Sequence, residues 1–191
     1  MKTIGPEEVH AALSYPALVD ALQETFSGEF NMPPRNVFLL DEQSGSHDAF
    51  AVLPSWNTDL IGVKAFTYFP SNSESYKSLY SKILLFDRAH GEPLALVDGT
   101  TVTFWRTAGI SGLATRLLAR KDAENLLLLG TGNLAKYIIR ANASVRPLKR
   151  VSVWGRTPSN AAQIVDEMSS ELEGVEVTVA TDLEKSCRQA D

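Results

Sequence analysis

The segment that most constrains the fold is an apolar run, Leu126-Leu127-Leu128-Leu129, followed at once by Gly130-Thr131-Gly132-Asn133-Leu134-Ala135. A strand that is apolar at every position is one covered on both faces, as in a parallel sheet. Residues 133–144 then carry apolar side chains at helical spacing. Between such a strand and such a helix each small residue has a use. The first glycine permits the tight turn, and the second lets the backbone approach a pyrophosphate. Ala135 stands where helix and strand must pack closely. The start of the helix adds free N–H groups and a dipole, about 0.3–1 kcal/mol per charge at exposed sites. Alone, a G-x-G-x-x-A string is a weak signal. Here an apolar strand precedes it and a helix and second strand follow, which is the context of a Rossmann-type dinucleotide turn.

The second strand ends in Val153-Trp154-Gly155-Arg156-Thr157-Pro158-Ser159-Asn160. Sites that select NAD place Asp or Glu near here to bind the ribose 2′-hydroxyl. This chain offers Arg156, Thr157 and Ser159, which suit a 2′-phosphate, so the sequence favours NADP(H), with NAD(H) as the alternative. Trp154, Arg156, Thr157 and Ser159 join Gly130, Thr131, Gly132, Asn133, Leu134 and Ala135 as candidate cofactor residues. A solvated surface arginine is the other reading of Arg156.

Around this turn, strands at residues 125–129, 150–154 and 175–179 alternate with helices at 133–144 and 158–172, which predicts a parallel sheet. A further helix starts near Asp182. The earlier half reads differently. A helix is expected over residues 6–27, slackened at Tyr15-Pro16 because proline disfavours helix in the residue before it. Strands are expected at 35–40, 49–53, 61–69, 82–87 and 93–97, the last two as a hairpin around Arg88-Ala89-His90-Gly91. A long helix over 103–120 carries Ala108, Gly109, Ser111, Gly112 and Ala114, small enough to let another element approach. The fold class is α/β: an N-terminal α/β portion, residues 1–120, then residues 121–191 as the first half of a Rossmann domain.

Composition excludes several functions. The chain has 191 residues, 44% hydrophobic and 21% charged, with a net charge of −5. That balance, without a basic block, opposes nucleic-acid partners and anionic membrane surfaces. No apolar run approaches the roughly 20 residues of a membrane helix, and the first residues lack a signal core. With one cysteine, Cys187, no intrachain disulfide forms, and the expected location is the cytoplasm. His10, His47 and His90 fall in no metal-ligand spacing, so no metal is expected. No Tyr-x-x-x-Lys follows the glycine turn, which removes support for a short-chain dehydrogenase mechanism.

Three cations sit in suggestive settings. Arg35 follows Pro33-Pro34 at the start of a strand. Lys64 lies among Gly62-Val63-Lys64-Ala65-Phe66, where alternation points it inward. Arg106 lies near the start of the small-residue helix. Inward cations need anionic partners, and arginine binds carboxylates bidentately. Together the three would hold a carboxylate substrate; an ordinary ion-pair role is the alternative for each.

Taken in order, Pro34-Arg35, Gly62-Val63-Lys64, Gly91-Glu92-Pro93-Leu94-Ala95-Leu96-Val97-Asp98, Arg106-Thr107-Ala108-Gly109-Ile110-Ser111-Gly112-Leu113-Ala114, Leu129-Gly130-Thr131-Gly132 and Val153-Trp154-Gly155-Arg156 resemble the ornithine cyclodeaminase/mu-crystallin family over essentially the whole chain. Gly109 departs from the family's usual alanine, and Asn133-Leu134 from its glutamine-alanine.

The resemblance implies an N-terminal substrate and dimerisation portion, a nicotinamide cofactor and an imino or amino acid carboxylate as substrate, in a homodimer. It implies that Arg35 and Arg106 clamp the carboxylate, and that Lys64 binds the same group or assists proton transfer at the imine nitrogen. Arg106 and Thr107 are also implied near the cofactor. The expected activity is NADPH-dependent reduction of a cyclic imino acid of the pyrroline-2-carboxylate or ketimine type. The alternatives are an ornithine cyclodeaminase and a non-catalytic, crystallin-like NADP(H)-binding protein. The family's acidic catalytic residue lies beyond position 191, so a C-terminally truncated chain with little turnover of its own is expected.

Overall fold

The computed structural model describes residues 1–41, 45–73 and 75–191. They form two compact units: Met1–Leu13 with Glu24–Thr103, and Ser14–Gln23 with Phe104–Asp191.

The first unit is built on a six-stranded sheet. Its strands are β1 (Lys2–Ile4), β2 (Asn36–Leu39), β3 (Ala49–Trp56), β4 (Leu60–Tyr68), β5 (Leu79–Asp87) and β6 (Pro93–Asp98), in the order β1-β6-β5-β4-β3-β2. Every pairing is antiparallel except β1 with β6. The expected hairpin is β5–β6, closed by Gly91, whose N–H reaches Asp87 O at 3.0 Å. Sequence reasoning missed β1, because three residues show no period and their partner lies some ninety residues away. β3 runs three residues past its expected end, through Pro54. Proline is tolerated there because β2 pairs with residues 49–52 alone, so the outer side of β3 is unpaired at Pro54.

Register decides which side chains share a face. Lys64 pairs with Leu53 on one side and Ile83 on the other. Ala49, Ala51, Ser81, Ala95 and Val97 lie on that same face and are buried. The opposite face carries Phe50, Val52, Val63, Ala65, Leu84 and Leu96, none of them fully buried.

Two helices differ from expectation. The helix expected over 6–27 is two: α1 (Pro6–Ala12) and α2 (Tyr15–Ser27). Leu13 between them is extended (φ −105°, ψ 139°). The interruption falls before Tyr15, so Pro16 sits in the first turn of α2, where a missing N–H costs nothing. The long helix, α3 (Gly99–Leu118), begins four residues early. Asp98 starts it by accepting the Thr101 N–H at 2.9 Å.

In the second unit β7 (Asn125–Leu129), β8 (Arg150–Trp154) and β9 (Glu176–Val179) form a parallel sheet in the order β7-β8-β9. Helices α4 (Ala135–Ala143), α5 (Pro158–Glu171) and α6 (Leu183–Gln189) alternate with them. Ile139, Val151, Val153, Ala161 and Met168 are fully buried between sheet and helices. β7 is an edge strand, and Leu129 is 58% exposed.

The small residues of α3 do what their size allows. A Cβ on Gly112 would stand 3.1 Å from Ala141 O of α4. On Gly109 it would stand 2.9 Å from Leu22 and 3.0 Å from Leu18 of α2. That packing accounts for glycine at 109. Arg146, almost fully buried, donates to the carbonyls of Thr115, Arg116, Ala119 and Arg120, satisfying the end of α3.

Candidate functional site

The glycine turn lies in the second unit. Gly130 has φ 119°, a conformation that side-chain-bearing residues rarely adopt. Its N–H donates to Trp154 O at 2.8 Å, tying the turn to the end of β8. Thr131 leans on Gly155: a Cβ at Gly155 would lie 2.5 Å from Thr131 Cγ2. Gly155 is therefore part of the turn, and sequence reasoning passed over it because only the folded chain brings residues 131 and 155 together.

A Cβ on Gly130 or Gly132 would meet nothing within 4 Å. The space over the turn is open, and Gly132 and Asn133 are exposed. Leu134, ahead of α4, caps no N–H with its side chain. Ala135 is buried against Ile139 and β8, the close packing its size predicted. An open cradle of backbone before a helix whose start has no side-chain cap fits a pyrophosphate. At the end of β8, Arg156, Thr157 and Ser159 are all exposed, and Thr157 makes no side-chain cap to α5.

The candidate carboxylate residues are distributed over both units. Arg35 is exposed and directly precedes β2. Asn36 pairs with Val52, so by continuation of the register Arg35 stands level with Leu53, which pairs with Lys64. Two strand spacings, about 9–10 Å, separate the two backbones.

Lys64 is half-buried in the middle of β4, as its alternation predicted. Its Nζ donates to Thr103 Oγ1 at 2.6 Å and stands 5.6 Å from the centre of the Phe66 ring. Among the described residues a hydroxyl is thus one partner of this inward cation. Thr103 in turn donates to Gly99 O at 2.6 Å. Sequence reasoning missed Thr103; its signal was a hydroxyl residue four positions into a helix that follows Asp98-Gly99. Arg106, exposed, and Thr107, half-buried, lie in the second unit on the same α3.

The first turn of α3 is stitched to β5. Ser81 N–H donates to Thr100 Oγ1 at 3.1 Å, and Lys82 pairs with Asp98 at 3.2 Å. A Cβ at Gly99 would lie 2.8 Å from Ser81 Oγ and 3.0 Å from the Ser81 backbone. Burial opposes the charge of Asp98, but the N–H and hydroxyl of Thr101 and the Lys82 ammonium outweigh it and hold the carboxyl below the ordinary Asp range. A cavity of about 330 Å³ lined by Phe50, Thr67, Tyr80, Lys82, Asp98 and Thr100 opens within the first unit. Phe66 and Ser81 also line it, although most of its lining belongs to the sheet face opposite Lys64.

His10, His47 and His90 are exposed. Among the described residues, no three His, Cys, Asp or Glu side chains are grouped to hold a metal, and no helix is long and apolar enough to cross a membrane.

Known proteins resemble this chain in sequence and in fold. The chain is 48% identical to Delta(1)-pyrroline-2-carboxylate reductase of Colwellia psychrerythraea, over 100% of this chain and 61% of that protein. It is 36% identical to the protein of the same name from Bacillus cereus, over 87% of this chain and 50% of that one. Among solved structures, Delta(1)-pyrroline-2-carboxylate reductase of Thermococcus litoralis in complex with NADH and L-proline matches with TM-score 0.87 and 26% identity, covering 100% of this chain and 60% of that one. The chain therefore spans about half to three fifths of the length of these relatives. The sequence pattern of the ornithine cyclodeaminase/mu-crystallin family matches residues 3–191, and the chain belongs to that family.

Proposed function

We propose that this chain supplies the pyrophosphate and carboxylate sites of an NADPH-dependent reductase of cyclic imino acids of the Δ1-pyrroline-2-carboxylate type. The observation that carries it is the open backbone cradle at Gly130–Gly132 in a chain 48% identical to a reductase of that name. Residues 121–191 then form the dinucleotide portion and residues 1–120 the substrate portion. Gly130, Thr131, Gly132, Asn133, Leu134 and Ala135 receive the pyrophosphate, with Trp154 holding the turn through its carbonyl. A nicotinamide held there would supply the hydride that the imine carbon needs. Arg35 and Arg106 clamp the carboxylate, and Thr107 adjoins the cofactor. Lys64 holds the same carboxylate or delivers the proton. Fixed cations around a substrate anion lower the barrier by orienting it before reaction.

For the cofactor's 2′ position we favour NADP(H). Arg156, Thr157 and Ser159 are exposed at the end of β8 and offer a guanidinium and two hydroxyls, with no carboxylate among them to repel a phosphate. The Thermococcus litoralis relative holds NADH, so calorimetric titration with both cofactors is the deciding test. Tighter binding of NADH would overturn this preference and leave the nicotinamide reading in place.

We further propose a homodimer formed through the first unit. Phe38, at 53% exposure, and the half-buried Phe50, Val52, Val63, Leu84 and Leu96 make one face of its sheet apolar and open. The single cysteine, Cys187, is unpaired, which suits a cytosolic protein.

The activity is tested by adding Δ1-pyrroline-2-carboxylate and NADPH to the full protein and following NADPH loss. Consumption that depends on the imino acid is expected. Ammonia release from ornithine without added reductant would replace this reading with a cyclodeaminase.

A further inference from the structure

We infer that Thr103 is a positioning residue for Lys64, and that the first turn of α3, seated on β5, sets where the Lys64 ammonium stands. The hydroxyl of Thr103 has one proton, and that proton goes to Gly99 O at 2.6 Å. What Thr103 offers Lys64 is therefore an oxygen lone pair, and Lys64 Nζ donates to it at 2.6 Å. Since the hydroxyl is committed as a donor to the backbone, it has a fixed direction and fixes the ammonium in turn.

The support beneath Thr103 is equally constrained. Gly99 lies so close to β5 that any Cβ would strike Ser81. Ser81 N–H holds Thr100, and Asp98 holds Thr101 N–H while pairing with Lys82. Four consecutive residues of the turn, 98–101, are thus located by β5 or by the capping carboxylate, and Thr103 follows two residues later. Arg106 lies one helical turn beyond Thr103 on the same helix.

The catalytic meaning of this bond rests on the reductase reading, but its existence does not. The test has two readouts on Thr103→Val and Thr103→Ser. The first is the rate at which an amine-reactive acylating reagent labels Lys64, followed across pH by peptide mass spectrometry with the other lysines as internal reference. Thr103→Val removes the hydrogen bond that holds the amine, so it should raise Lys64 labelling about tenfold at a fixed pH. Thr103→Ser should return it to the wild-type rate. The second is the pH profile of kcat in the full protein. Thr103→Val should shift it and lower kcat more than it raises KM, while Thr103→Ser restores both. Unchanged Lys64 labelling and an unchanged profile in a folded Thr103→Val variant would overturn the inference while leaving the reductase reading standing. The labelling shift without turnover by wild type would support the positioning role and defeat the reductase reading.

Discussion

The two sheets solve opposite problems. The parallel sheet β7-β8-β9 is packed under helices, with Ile139, Val151, Val153 and Met168 fully buried. The six-stranded sheet buries small side chains, Ala49, Ala51 and Ala95, on one face and leaves Phe50, Val52, Leu84 and Leu96 incompletely covered on the other. The first therefore carries its own stability. The second carries Lys64 within β4, Arg35 directly ahead of β2, and an apolar face that is incompletely covered. In the parallel sheet the candidate chemistry is backbone, exposed at a strand-to-helix turn. In the other it is a side chain, Lys64, set inward in the middle of a strand.

That contrast is open to measurement, and the largest effect should fall in the parallel-sheet core. Ile139→Ala removes buried atoms from a packed site and should cost about 2–5 kcal/mol in urea unfolding. Val37→Ala on the six-stranded sheet, at a position 53% exposed, should cost no more than about 0.5 kcal/mol in the monomer. Equal losses would break the comparison. Next come the cations. If the proposed carboxylate site holds, Arg35→Ala and Arg106→Ala would each remove charge-assisted hydrogen bonds worth about 1.5–3 kcal/mol. Either should reduce kcat/KM roughly 10- to 150-fold without moving the urea midpoint, and an unchanged kcat/KM would remove that residue from the carboxylate site.

Gly155→Ala should be comparable or somewhat smaller. Its Cβ would press on Thr131, and overpacking of this kind costs about 1–3 kcal/mol. Here the cost should appear as weakened NADPH affinity, because the turn moves; loss of stability with intact affinity would place the strain elsewhere. The smallest effect concerns pH. The folded-state pKa of Asp98 lies below its ordinary value. Its contribution to stability is complete above the ordinary Asp pKa and is lost as pH falls through the folded value. Asp98→Asn should therefore flatten the acid side of the stability profile, and a profile parallel to wild type would show that the carboxylate is not linked to folding.

What could be read from the sequence follows the same division. The turn at residues 130–135 was legible because it is local: strand, glycines and helix are contiguous, and each residue type has one reason to be there. The small residues of α3 were legible as a site of close approach, and Lys64 as an inward cation by alternation alone. Thr103, Gly155 and β1 were not legible. Thr103 matters because β4 delivers Lys64 to it across 39 positions. Gly155 matters because Thr131 lies against it, and β1 because β6 is beside it. The split of residues 6–27 into two helices was half-visible. Pro16 announced a disturbance, but a first-turn place in α2 satisfies proline better than a bend within one long helix.

The most direct test is a calorimetric titration of NADPH into the wild-type chain and into Gly132→Asp. Gly132 has no positive φ and open space at its Cβ, so the fold should accept the aspartate. The new carboxylate would occupy the place assigned to the pyrophosphate, and like charges so close repel strongly. Saturable binding to wild type and its loss in the folded variant is the predicted result. Equal NADPH affinity in the two proteins would contradict the assignment of this turn as the cofactor site.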